Sequence, residues 1–320
     1  HNEAVRSIRK DFNFSMCLNI FKHILSGSES MYKSLEEIVK TERESGKPFW
    51  KIVQEDDCRE RGVEAGQAFK EMRGLYLAMQ EADRSYDGTL KSASGLVGTD
   101  GEKMRLAREK EMLLCGSFIG KVMEKALKMG ESNACMKRIV AAPTAGSCGV
   151  VPAVFLTLQE ERGFSEKQMV EALYVAAGIG GVIASRAFLA GAAGGCQAEI
   201  GSASAMAAGG AAYLMGGGAE QIAHAAALAL KNLLGLACDP VAGLVEVPCV
   251  KRNVMGAVNA LTSADMVAAG ITSRIPPDEV IDAMRSIGRS MNEDIRETGK
   301  GGLAGTPTGV AIKERMAGQI

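Results

Sequence analysis

Residues 169–189, MVEALYVAAGIGGVIASRAFL, and residues 198–214, AEIGSASAMAAGGAAYL, decide the fold class. Both stretches are too long for strands and carry small or aliphatic residues on every face, the pattern of helices buried all round, whose backbones can approach closely. Gly-rich joints at 178–181, 191–195 and 216–218 mark breaks or very close contacts. Amphipathic segments surround this centre. Leu35, Ile38 and Val39 open one, and Val63, Phe69, Met72, Leu75 and Met79 keep helical spacing in a second. Residues 102–129 read as one long helix packed on a single face, with Met104, Leu106, Leu113, Leu114, Ile119, Val122, Met123 and Leu127 among Lys, Arg and Glu. Pro276-Pro277-Asp278-Glu279 starts another, with Val280, Met284 and Ile287 as its apolar stripe. Strand alternation and fixed-period repeats are absent. The predicted fold is all-α, with central Gly/Ala-rich buried helices surrounded by amphipathic ones.

Composition narrows the partners. A chain of 320 residues, 47% hydrophobic, can bury a large core. Its 37 basic and 38 acidic residues leave a formal charge of -1, without the footprint of a nucleic-acid or anionic-membrane binder, so a small molecule is the expected ligand. Eight cysteines at irregular spacing in so long a chain predict a reducing compartment, the cytoplasm. Residues 200–219 are uncharged but too weakly apolar for a membrane span. Residues 11–25 are too short and polar for a signal core, and residues 1–30 read as a poorly ordered N-terminal extension or leader. Residues 31–320, undivided by any linker-like stretch, read as one catalytic domain.

Three cysteines lie against residues that turn the backbone: Gly194-Gly195-Cys196-Gln197, Cys238-Asp239-Pro240 and Val247-Pro248-Cys249. Free cysteines are commonly just buried, small apolar groups. Cysteines on turns can also converge, and three thiolates on a four-iron cluster would leave one iron open to substrate. Other stretches allow two readings each. Pro143-Thr144-Ala145-Gly146-Ser147-Cys148-Gly149 suits a plain helix start or an anion-binding turn. The Ser94-Gly95 loop is flexible by composition, and Ser202 can cap a helix or face a pocket. Lys251 and Arg252 beside Cys249 can be solvated or serve a carboxylate or cluster. Histidine is limited to His1, His23 and His224, without a zinc-like spacing; His224 reads as a packed or paired histidine. Neither a lysine in pyridoxal-phosphate context nor a GxxxxGK[ST] phosphate loop occurs.

The stretches AAPTAGSCGVVPA (141–153), GCQAEIGSASAMAAGG (195–210) and LGLACDPVAGLVEVPCVKRN (234–253) resemble the alpha chain of the bacterial iron-sulfur L-serine dehydratases. The likeness runs from about Met31 through SGLVGTDGEKM (94–104) to RETGKGGLAGTPTG (296–309). In that family three cysteines hold a [4Fe-4S] cluster, and Cys196, Cys238 and Cys249 reproduce its intervals of 42 and 11 residues. The resemblance implies a lyase that converts L-serine to pyruvate and ammonia. It assigns the cluster to Cys196, Cys238 and Cys249, and substrate binding to Ser94, Gly95, Thr144, Gly146, Ser147, Ser202 and Lys251. Cys148 is expected to line the pocket without ligating. Some family members carry an additional N-terminal domain and others have it as a separate beta subunit; a beta subunit that completes the active site is therefore expected. Single-chain members can end in a cysteine that reaches the cluster, whereas this sequence ends Ala317-Gly318-Gln319-Ile320, and no tail ligand is expected. Two alternatives stand beside this reading: a related cluster-dependent lyase such as an L-cysteine desulfidase, and a non-catalytic cluster-bearing subunit.

Overall fold

The structure is a computed structural model that describes residues 32–318. The extension assigned to residues 1–30, with Cys17, His1 and His23, lies outside the described residues, as do Met31, Gln319 and Ile320. Helices build the fold, and no strand forms among the described residues; a lone parallel bridge pairs Cys238 with Arg296.

The two small-residue stretches become α7 (Glu166–Arg186) and α8 (Ser202–Leu214). Every residue of α8 except Tyr213 is buried, and α8 packs against α7, α6 (Val150–Arg162), α9 (Ala219–Lys231) and α10 (Cys249–Ala268). Glycine permits the closeness: a Cβ on Gly209 would lie 2.1 Å from Ile179 Cδ1. Gly178 continues α7 without a break, because there Gly admits Val53 of a neighbouring helix. Helix α7 is long and apolar enough to cross a membrane, but it is buried inside the protein.

The amphipathic elements lie outside this centre. They are α1 (Leu35–Ser45), α2 (Phe49–Arg61), α3 (Ala65–Arg84), α4 (Asp100–Glu109), α5 (Gly116–Ala134) and α11 (Pro277–Ser290); a largely exposed α12 (Pro307–Ala317) follows. The segment expected as one helix over 102–129 is two, α4 and α5. Glu111 (φ 56°) and Gly116 (φ 71°) turn the backbone left-handed there, and Leu113 folds back over Gly120. The two helices pack against one another, and α5 turns Val122 and Met129 into the core, while Leu106 and Leu114 of the expected stripe are exposed. The Pro-Pro-Asp-Glu signal does open α11, and its Asp278 carboxylate also caps α1, accepting from Leu35 N–H at 2.9 Å and Glu36 N–H at 3.1 Å.

Candidate active site

Cys196, Cys238 and Cys249 come together from three turns. Cys196 follows Gly195 (φ 77°), where a side chain would collide with Met291 Sδ at 2.6 Å and the Leu236 carbonyl at 2.8 Å. It leads into a wider π-type turn (Gln197–Gly201) that continues as α8. Such turns shift side chains out of ordinary helical register, often at functional sites. Cys238 is held by backbone on both sides: its N–H donates to the Ile295 carbonyl at 2.8 Å, and its carbonyl accepts from Glu297 N–H at 2.7 Å. Cys249 is the first residue of α10.

All three thiols are buried. Burial pushes Cys196 up to about 11, with Glu199 adding to the rise and Arg252 opposing it. Cys238 is raised further, first by burial and then by Glu199, Cys196, Glu297 and Cys249, and Cys249 by burial, Cys196 and Glu199 with Arg252 opposing. The thiols are thus near enough for Cys196 to oppose ionisation of the other two. Among the described residues no three His, Cys, Asp or Glu side chains close tightly on a single metal ion. A four-iron cluster takes each thiolate on a different iron and so does not require the three to close on one ion. The donor set therefore fits a cluster: three soft sulfur donors, buried, whose deprotonation requires a strong positive partner.

Arg252 supplies fixed positive charge. It donates to the Ala237 carbonyl at 2.6 Å and to Asp239 at 2.9 Å, and its charge lies close enough to Cys196 to favour the thiolate. Asp239 in turn accepts from Leu303 N–H at 2.8 Å, which docks the Gly-rich C-terminal segment beside Cys238. Glu199 lies beside Cys238. The Cys238 thiol is directed at its Oε2 at 3.9 Å, and a Cβ on Gly191 would lie 2.7 Å from Cys238 Sγ and 2.9 Å from that same oxygen. Burial pushes the Glu199 carboxyl up to about 7, against the opposing hydrogen bond from Thr144.

The expected substrate residues divide. Thr144 and Gly146 lie beside Glu199, whose carboxyl Thr144 holds down and whose Oε1 would lie 3.2 Å from a Cβ on Gly146. Ser147 is fully buried, and its hydroxyl serves the turn, 3.1 Å from Thr144 Oγ1 and accepting from Thr144 N–H at 3.3 Å. Ser202 is fully buried with no hydrogen-bond partner. Ser94 is bound to Glu246, beside exposed Gly95. Lys251 is half exposed and pairs with Asp100 at 2.6 Å. Cys148 directs its thiol into the core, 3.6 Å from the Met129 carbonyl. His224 keeps a buried Nδ1 without a partner, and Glu220 one turn earlier pairs with Arg43 instead.

Two buried amides escaped the sequence reading. Asn253 accepts from Gly149 N–H at 2.8 Å and donates to the Gly146 carbonyl at 2.8 Å and the Cys249 carbonyl at 3.0 Å. Gln197 accepts from Gly235 N–H at 2.9 Å and donates to the Gly194 and Met284 carbonyls at 2.9 and 3.2 Å. Each fixes a cysteine-bearing turn to a neighbouring segment. Their only sequence signal was an amide directly after Cys196 and another four residues after Cys249.

Fold and site together define an all-helical protein with a buried three-thiol centre beside a small-residue turn. The family model for the serine dehydratase alpha chain matches residues 38–304, and the chain belongs to that family. A probable L-serine dehydratase alpha chain from Bacillus subtilis is 48% identical over 267 residues, 83% of this chain and 88% of the relative. One from Latilactobacillus sakei is 53% identical over 197 residues, 62% of this chain and 94% of the relative. The Escherichia coli L-serine dehydratase TdcG is 42% identical over 181 residues, 56% of this chain but only 40% of the relative.

Proposed function

We propose that this chain is the cluster-bearing alpha chain of an L-serine dehydratase, a lyase that converts L-serine to pyruvate and ammonia. The observation that carries the reading is the convergence of Cys196, Cys238 and Cys249, at the family's spacing, as buried thiols close enough that Cys196 opposes ionisation of the other two. These three residues would hold a [4Fe-4S] cluster, which when bound would supply Lewis-acid help to the departing hydroxyl.

The chain's own groups prepare the site around it. Arg252 offsets negative charge at Cys196, and the N-terminus of α10 places backbone N–H groups at Cys249. Asn253 holds the Gly146 turn against Cys249, while Glu199 lies beside Thr144 and accepts from the Cys238 thiol, so the turn and the thiols are tied together. Loss of water from serine gives an enamine, which tautomerises to an imine and hydrolyses to pyruvate and ammonia. A beta chain is the proposed partner, contributing groups for proton transfer, and a reducing cytoplasm is the proposed setting.

The test is anaerobic reconstitution with iron and sulfide followed by pyruvate release from L-serine, with and without a cognate beta chain. Turnover of serine that depends on the cluster supports the proposal. Faster release from L-cysteine than from L-serine would favour the desulfidase reading, and a loaded cluster without turnover in the complete complex would favour the non-catalytic one.

A further inference from the structure

The loop carrying Ser94 and Gly95 is clamped to the segment carrying Cys249, on both sides of that cysteine. Three residues before it, buried Glu246 points one carboxylate oxygen, Oε2, at two hydroxyls of the loop: Ser92 donates to it at 2.9 Å, and Ser94 donates to it as well. Two residues after it, Lys251 pairs with Asp100 at 2.6 Å, at the loop's far end. The loop is also closed on itself. Ser92 N–H donates to the Val97 carbonyl at 3.0 Å, Gly95 N–H to the Ser92 carbonyl at 2.9 Å and Leu96 N–H to Ser94 Oγ at 3.0 Å. The loop is thus braced internally; Val97 packs with Val250 and Leu127, and Glu246 is its buried polar tether to the Cys249 segment.

The two contacts differ in weight. Lys251 is half exposed, so its ion pair is screened by water. Glu246 is 6% exposed and receives two hydrogen bonds on a charged oxygen in a dry setting, where such bonds are strong. Its carbonyl also accepts from Val250 N–H at 3.0 Å, in the first turn of α10. One residue thus holds the loop through its side chain and the start of the cysteine-bearing helix through its backbone.

We propose that Glu246 is a positioning residue for serine dehydration: its carboxylate keeps the 92–97 loop in register with the Cys249 segment, so the loop captures substrate beside the cluster. This rests on the dehydratase reading above. Glu246 touches neither the thiols nor the reacting atoms; it acts through Ser92 and Ser94.

The test compares Glu246→Ala, Glu246→Gln and Ser92→Ala in the anaerobically assembled enzyme with its beta chain. The readouts are iron content, kcat and KM for L-serine, and hydrogen exchange of the 92–97 peptide. Glu246→Ala should raise KM about tenfold or more with kcat changed far less, keep its iron, and speed exchange in the loop by about tenfold or more. Glu246→Gln should stay within about threefold of wild type, because its amide oxygen accepts from both hydroxyls. Ser92→Ala, which leaves the core of the fold untouched, should lie between. Wild-type KM and wild-type loop exchange in both Glu246→Ala and Ser92→Ala would overturn the proposal; if Glu246→Ala does not fold, Ser92→Ala decides alone. Should the wild-type enzyme fail to turn over serine, the dehydratase reading fails, and loop exchange still decides whether Glu246 is the clamp.

Discussion

Replacing Asn253 tests how the small-residue turn is joined to the thiol centre. The side chain is 1% exposed and makes three hydrogen bonds, to Gly149 N–H, the Gly146 carbonyl and the Cys249 carbonyl. A buried hydrogen bond is worth about 1 kcal/mol net, and a buried donor left without a partner adds to the loss, so Asn253→Ala should destabilise the iron-free chain by about 3 kcal/mol. For a chain of this size that lowers Tm by roughly 6 to 10 °C. Asn253→Asp is the sharper probe. It keeps the shape and the acceptor facing Gly149 N–H, but sets a carboxylate oxygen where Nδ2 now faces two carbonyls. Near neutral pH it should be at least as destabilising as Ala, because the new contacts are repulsive. Urea unfolding followed by circular dichroism measures both. Asn253→Asp within about 0.5 kcal/mol of wild type would refute the bridging role of the amide, since that is the ordinary range of neutral substitutions.

Two further outcomes follow from the pocket. Gly191→Ala places a methyl 2.7 Å from Cys238 Sγ and 2.9 Å from Glu199 Oε2; overpacking of this kind costs about 1 to 3 kcal/mol, and the displaced thiol should lower iron content after reconstitution. The second concerns pH. In the iron-free chain the Glu199 carboxyl ionises near 7 against an ordinary 4.5, so the folded state holds a proton that the unfolded state releases across that window. Native stability should fall as pH rises from 4.5 to 7, by about 3 kcal/mol in total, and level off above. Glu199→Gln should remove that part of the slope; an identical pH profile of urea midpoints in variant and wild type would count against the burial that raises it.

Much of the fold was legible because helices announce themselves by period. The 169–189 and 198–214 stretches had no polar face to expose, which fixed them as interior, and Pro276-Pro277 gave a start. The break between α4 and α5 was hidden, because Glu111 carries no turn signature and Leu113 and Leu114 keep the apolar rhythm through the turn. At the site, Gly195, Asp239-Pro240 and Pro248 exposed the three cysteine turns, since unusual backbone demands unusual residues. What the sequence hid were groups whose roles depend on long-range partners. Glu199, Gln197, Asn253 and Glu246 are polar residues that any helix or loop can carry. Only the folded chain shows that Glu246 meets Ser92 and Ser94 across more than 150 positions. The same holds in reverse for Lys251: adjacency to Cys249 suggested a substrate contact, and the fold gives it Asp100.

The central claim is that Cys196, Cys238 and Cys249 act together as the ligands of one cluster. The most direct measurement is iron and sulfide per chain after anaerobic reconstitution of wild type and of Cys196→Ser, Cys238→Ser and Cys249→Ser, with Cys58→Ser and Cys135→Ser as controls. The account predicts about four irons and four sulfides in wild type and both controls, and a marked loss in each of the three variants. Full iron and sulfide in any one of those three would contradict it.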